Sequence, residues 1–357
     1  MGEAEAVAAA EAVAVEGVRS REPEFPRHDS DAGEHTMYRL TLRATARPLL
    51  RRGAFVVGAI VLALTVPDLR AIAQEAAQKS FPTPEEGAKA LLAAVKAGDN
   101  AQMLAILGPD GKDLVSSGDA VADRWGRDNL ARAAGEMTRL VKQDDSTEIL
   151  HVGNEDWPVP IPLVKDTKGW RFDTAEGKEE ILNRRIGRNE LTAIGVCHAY
   201  ATAQVEYASE DLDGDQVLEF AQTLASAPGK RNGLHWKPDS GQAPSPLGPL
   251  VAEAVAEGYG ASKPANGPRP YHGYLFRILK AQGKHAPGGA YSYVINGNMI
   301  GGFALVAYPV GYGNSGIMTF LVNQQGIVFQ KDLGERTSEI AGVMSLYDPD
   351  STWKKTE

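Results

Sequence analysis

The run Asp211-Leu-Asp-Gly-Asp-Gln-Val-Leu-Glu219 sets carboxylates at alternating positions, the arrangement by which one short loop wraps a hard divalent cation. Read as a calcium (Ca2+) loop, Asp211, Asp213 and Asp215 take ligand positions 1, 3 and 5, the Val217 carbonyl takes position 7 and Glu219 position 9. Helices ending near Ala208 and restarting near Val217 would frame it. Gln216 stands where such loops carry a turn-permitting glycine, and Gln222 where they carry a bidentate Glu. Those departures move any affinity toward the weak extracellular range of about 10⁻⁴–10⁻³ M. The competing reading is a solvated acidic turn in which Asp215 caps the next helix.

Other chemistry-bearing residues give less. Gly311-Tyr-Gly-Asn-Ser-Gly316 has the spacing of a dinucleotide fingerprint, but that motif must lie between a strand and a helix, and Ile317-Met-Thr-Phe-Leu-Val322 reads as a strand, so a Gly-rich β-turn is expected. Ser315 lacks the following glycine of a nucleophile elbow, because Ile317 occupies that place. Cys197 and His198 are helix neighbours and do not face each other, which makes Cys197 a small buried apolar residue. His151, His235, His272 and His285 have no metal-ligand spacing. Arg184, Arg185 and Arg188 could receive an anion, yet Glu180 four residues before Arg184 favours a salt-bridged, solvated face. Tyr259, Tyr271, Tyr274 and Trp236 are expected to pin a long Gly/Pro-rich loop to a sheet rather than to line a ligand cleft. No catalytic or cofactor-binding residue emerges.

The elements that must position these groups are legible in outline. Thr83, Pro84, Glu85 and Glu86 write a helix start, the apolar positions Ala88, Leu91, Leu92 and Val95 follow at helical spacing, and Gly98 stops them. A short helix spans Asn100 to Leu107. A third begins near Asp119 and carries Val121, Trp125, Leu130, Met137 and Leu140. Strands are expected at Glu148–Val152, Pro160–Lys165 and Trp170–Phe172. A long helix from about Ala175 to Ala208 carries a broken apolar stripe that includes Leu191, Cys197 and Val205, with Gly187 and Gly195 as points where it could kink or divide. After an irregular stretch over 228–270, interrupted by a short helix at Leu250–Glu257, strands follow at Tyr274–Leu279, Tyr291–Ile295 and Phe303–Tyr308. A hairpin then joins Ile317–Val322 to Ile327–Lys331. The fold class is α+β: N-terminal helices with a short curved antiparallel sheet in cystatin-like order, a long central helix, and a C-terminal antiparallel β meander.

The chain has 357 residues, 43% of them apolar, and a formal net charge of −9, which argues against a nucleic-acid binder and against a disordered chain. Residues 1–36 read as disordered, or as a misread segment upstream of a true start at Met37. Residues 37–73 have the order of a signal peptide: Arg39 to Arg52 without an acid, an apolar run from Gly53 to Val66, and Ala71-Ile72-Ala73 as a cleavage site near Ala73. That run is shorter than the ~18 residues a membrane span needs, so no membrane span is expected after signal cleavage. Localisation would be periplasmic or secreted, with an N-terminal α+β part at 74–173 and a second part at 174–357.

Several segments carry a resemblance: Trp157-Pro-Val-Pro-Ile-Pro-Leu-Val-Lys165, Asn183-Arg-Arg-Ile-Gly-Arg-Asn-Glu190, Tyr271-His-Gly-Tyr274 and Gly301-Gly-Phe-Ala-Leu-Val-Ala-Tyr-Pro309. They resemble a bacterial exported family catalogued as domain of unknown function 2950, which implies an envelope location and no activity. The helix end Ala201-Thr-Ala-Gln-Val-Glu-Tyr207 and the hairpin around Asn323 are also similar to pilin-like head domains. The leading expectation is a non-enzymatic envelope module that binds an envelope protein or self-associates. The rivals are an envelope hydrolase whose carboxylates converge only in three dimensions, and a small-ligand carrier using a cavity of the N-terminal part.

Overall fold

Thr83 opens the first helix, α1 (Pro84–Ala97): its side chain accepts the Glu86 N–H, and Gly98 closes the helix at φ +64°. Asp99 caps α2 (Asn100–Leu107) in the same way. A 3₁₀ turn at Pro109–Gly111 leads into the single turn α3 (Lys112–Val115). Asp119 then caps α4 (Ala120–Glu136). The computed structural model describes residues 78–212, 214–238, 243–260 and 269–356. The expected upstream segment 1–36, the signal peptide 37–73 and Asp213 lie outside them.

Helix α4 is shorter than its apolar spacing suggests. Met137 is already extended, and Leu140 lies on strand β1 (Thr138–Lys142), opposite Leu150 of β2 (Thr147–Val152). Pairing overrides the helical period there, because the antiparallel ladder with β2 supplies backbone partners from Thr138 to Lys142. Strands β3 (Trp157–Pro158), β4 (Leu163–Asp166) and β5 (Gly169–Phe172) complete an antiparallel sheet in the order β1-β2-β4-β5, with β3 also on β2. Strand β4 starts later than expected because Pro160 and Pro162 have no N–H to give to a ladder. Helices α1 and α2 pack on this sheet, and Leu91, Met103, Ile106, Leu150, Leu163 and Phe172 form the heart of the first core.

Helix α5 (Thr174–Tyr207) runs unbroken for 34 residues, so neither Gly187 nor Gly195 divides it. Its buried stripe is Ala193, Val196, Cys197, Tyr200, Ala203 and Tyr207. Leu191 and Val205, expected within the stripe, are 72% and 61% exposed, since two positions along a helix turn a side chain to the opposite face. After α6 (Gly248–Ala256) come β6 (Tyr274–Leu279), β7 (Ala281–Gln282), β8 (Tyr291–Ser292), β9 (Val294–Ile295) and β10 (Asn298–Met299). The expected strand at 291–295 is two short ones separated by the buried Tyr293, pairing β8 with β7 and β9 with β10. Strands β11 (Ala304–Pro309), β12 (Met318–Asn323) and β13 (Phe329–Asp332), then α7 (Thr337–Gly342) and β14 (Lys354–Lys355), follow. The second sheet has the order β14-β13-β12-β11-β6, antiparallel throughout. The small residues of α5 allow it to lie close on β11 and β12, and Phe303, Leu305 and Phe320 fill the second core. The architecture is α+β with a long central helix and a C-terminal antiparallel meander.

Candidate functional site

Helix α4 is seventeen residues long, and none of them is buried. Its apolar side chains face a cleft of about 700 Å³. Leu91 and Val95 of α1 and Met103 and Leu107 of α2 line the cleft on one side, Val121 and Leu130 of α4 on another, and Val152, Val159 and Ile161 of the sheet region complete the apolar wall. The remaining wall is α5, which contributes Ile181, Arg184, Arg185 and Arg188 at helical spacing.

Two tryptophans border this space. Trp125 of α4 is 53% exposed and Trp157 of β3 is 40% exposed. The Arg188 guanidinium lies 5.4 Å from the centre of the Trp125 ring, and that of Arg184 lies 6.0 Å from Trp157. Arg184 also pairs with Glu180, as the sequence spacing suggested. The same arginines nevertheless line the cleft, so this helix face is not simply a solvated one. Arg185 turns inward and donates to the carbonyls of Asp113 and Leu114, at 2.7 and 3.1 Å, and to Asn314 Oδ1 at 2.5 Å. Burial lowers its pKa, opposed by the nearby Asp123 carboxylate.

Asp123 accepts from Ser117, from the backbone N–H at 3.1 Å and from the hydroxyl at 2.7 Å. Burial still holds its carboxyl above the ordinary value, outweighing those hydrogen bonds. A second polar group borders the cleft. Asp119 Oδ1 caps α4 through the N–H groups of Val121 and Ala122, while Oδ2 accepts from the Tyr259 hydroxyl at 2.8 Å and from the Gly273 N–H at 2.9 Å. His272, at φ +46°, places Nε2 2.8 Å from Glu257. Tyr259 thus ties its segment to the cap of α4, and it lines the cleft, where a loop pin on the sheet was expected.

The acidic loop is placed differently from the expectation. Asp211 accepts from the N–H groups of Gly214 and Gln216, and Asp215 accepts from the Val217 N–H and from Asn298 Nδ2. No helix restarts at Val217: Glu219 accepts the Met299 N–H, and the Phe220 N–H donates to the Met299 carbonyl, so this segment runs extended beside β10. Asp215 therefore caps no helix. Gln216 itself takes the left-handed turn, at φ +68°, for which a glycine was missed.

Cys197 is fully buried, and desolvation pushes its thiol up to about 12. The Gly311–Gly316 segment is a turn followed directly by β12, with Ser315 buried and hydrogen-bonded to Gly311. Among the described residues no group of three or more His, Cys, Asp or Glu could hold a metal ion. No helix among them is long and apolar enough to cross a membrane.

Sequence reasoning missed Trp125, Trp157, Arg127 and Asp123 as cleft residues. The available signal was α4 itself, whose arginines at 124, 127 and 132 leave too narrow an apolar stripe for a helix packed directly on a core. A family model described as protein of unknown function (DUF2950) matches residues 78–356. No curated protein and no solved structure matches the chain.

Proposed function

The chain belongs to the DUF2950 family, a kinship over residues 78–356 whose description carries no activity, and from that premise we propose that it is a non-enzymatic protein that binds an apolar small molecule in the cleft under α4. One observation carries the reading: a seventeen-residue helix with no buried residue stands over a cleft of about 700 Å³ lined by Leu, Val, Ile and Met. Apolar side chains turned toward such a space gain roughly 25 cal/mol per Å² when apolar matter covers them, and the volume is that of ordinary ligand sites. The cleft's carboxyls are already engaged: Asp123 holds Ser117 and Glu257 faces His272. Export with cleavage near Ala73 is part of the same proposal, and N-terminal sequencing of periplasmic or secreted protein tests it.

Anilinonaphthalene sulfonate titrated into the full chain tests the cleft. Saturable fluorescence enhancement, lost in Leu130→Trp with its side chain in the cleft, is the expected result. Absence of saturable binding by the unaltered protein overturns the reading.

A further inference from the structure

We infer that the cleft takes a single-chain amphiphile with an anionic head, its tail over Leu91, Val95 and Met103 and its carboxylate at Arg188 beside Trp125. This rests on the proposal that the cleft binds apolar matter and adds the chemistry of the ligand's polar end. Five arginines line the cleft, at 127, 132, 184, 185 and 188, against the two carboxyls Asp123 and Glu257. In a chain whose net charge is −9, that is a local reversal of sign.

Three of the five arginines are already occupied. Arg132 pairs with Glu136, Arg184 with Glu180, and Arg185 is spent on carbonyls and Asn314. Arg127 and Arg188 have no carboxylate partner among the described residues. Arg188 and Arg185 also repel one another. An anion between Arg188 and solvent relieves that repulsion. The Trp125 ring, 5.4 Å from the Arg188 guanidinium carbon, is an attractive cation–π neighbour that accepts no conventional hydrogen bond, and a guanidinium in such a place can receive a carboxylate through two parallel hydrogen bonds. The apolar wall and this edge belong to one continuous space, so a ligand satisfying both has a chain and a charged end.

Isothermal titration of the full chain with laurate, dodecanol and acetate, all at submicellar concentration, separates the claims. Laurate is expected to bind at least about tenfold more tightly than dodecanol, the equivalent of one charge-assisted hydrogen bond. Acetate is expected to give no saturable heat. Arg188→Gln is expected to remove the preference, so that the variant binds laurate no more tightly than it binds dodecanol. Equal binding of laurate and dodecanol to the unaltered protein overturns the head-group assignment while the apolar cleft stands. Acetate binding as tightly as laurate makes the site one for small anions and overturns the amphiphile. Binding of neither chain overturns the cleft reading and this inference together.

Discussion

Gly177, Gly187 and Gly195 sit on one helix and respond oppositely to alanine. A Cβ on Gly177 would stand 2.4 Å from the Pro160 carbonyl oxygen, so α5 would have to withdraw from the first sheet, whereas Gly187 and Gly195 have open space around them. Gly187→Ala and Gly195→Ala are each expected to stabilise the protein by about 0.8 kcal/mol, the helical preference for Ala over Gly, and Gly177→Ala to destabilise it by about 2 kcal/mol through overpacking. Urea unfolding midpoints check all three. Asp123 gives a pH signature. Its pKa is raised in the folded protein, so folding is favoured by the protonated carboxyl, and that contribution is lost as pH rises from the ordinary carboxylate value through the folded one. Asp123→Asn is therefore expected to compare worst with the unaltered protein at acidic pH and to gain on it as pH rises, in unfolding titrations between about pH 4 and 7. Residues with local roles, such as the cap Thr83, were legible because a cap needs only its next three neighbours. The cation–π contacts of Arg184 and Arg188 were not, because Trp157 and Trp125 reach them from other elements.

Helix α4 shows what an element can and cannot announce. Its start was readable at Asp119. Its end was not, since β1 is created by pairing with β2 and not by the propensity of Met137 to Leu140. The same Asp119 fastens α4 to the second part of the molecule through Tyr259 and Gly273. Asp119→Ala removes the cap and leaves a buried hydroxyl and N–H without their acceptor. A loss of about 3 kcal/mol is expected, against about 2 kcal/mol for Tyr259→Phe, which removes the donor to Asp119 and the acceptor of the His272 N–H. Thermal and urea unfolding of the two variants check the ranking. The loop at 211–219 keeps a separate proposal as a weak calcium site. Its prediction is that millimolar calcium raises the melting temperature of the unaltered protein and not that of Asp213→Ala. Equal shifts in both proteins, or none in either, remove it.

At the scale of the whole molecule, two hydrophobic cores share one helix. Thr174, Gly177 and Ile181 of α5 lie against the first part, and Ala193 to Tyr207 belong to the second. The polar seam that ties the two cores together was invisible in the sequence. Arg185 joins the Asp113 and Leu114 carbonyls to Asn314, and Asn314 Nδ2 returns to the Ser116 carbonyl at 3.0 Å, across nearly two hundred residues of chain. A continuous helix whose two ends serve different cores transmits unfolding only if the seam holds, because α5 alone could fray at either end at little cost. The unaltered protein is therefore expected to unfold in one transition, with helical circular dichroism and tryptophan fluorescence coincident. Combining Arg185→Met with Asn314→Ala cuts the seam at both partners and is expected to cost about 2 kcal/mol, from the half-buried Asp113 and Leu114 carbonyls left without donors. Segment-resolved hydrogen exchange at intermediate urea then reads the consequence. Residues 78–173 should lose protection before β6, β11 and β12 do, since α4 has no buried residue and the strands of the second sheet are its most deeply covered part. Simultaneous loss of protection in both parts of the double variant would mean that α5 together with the Asp119 contacts to Tyr259 and Gly273 suffices to couple them, and that the Arg185–Asn314 seam does not.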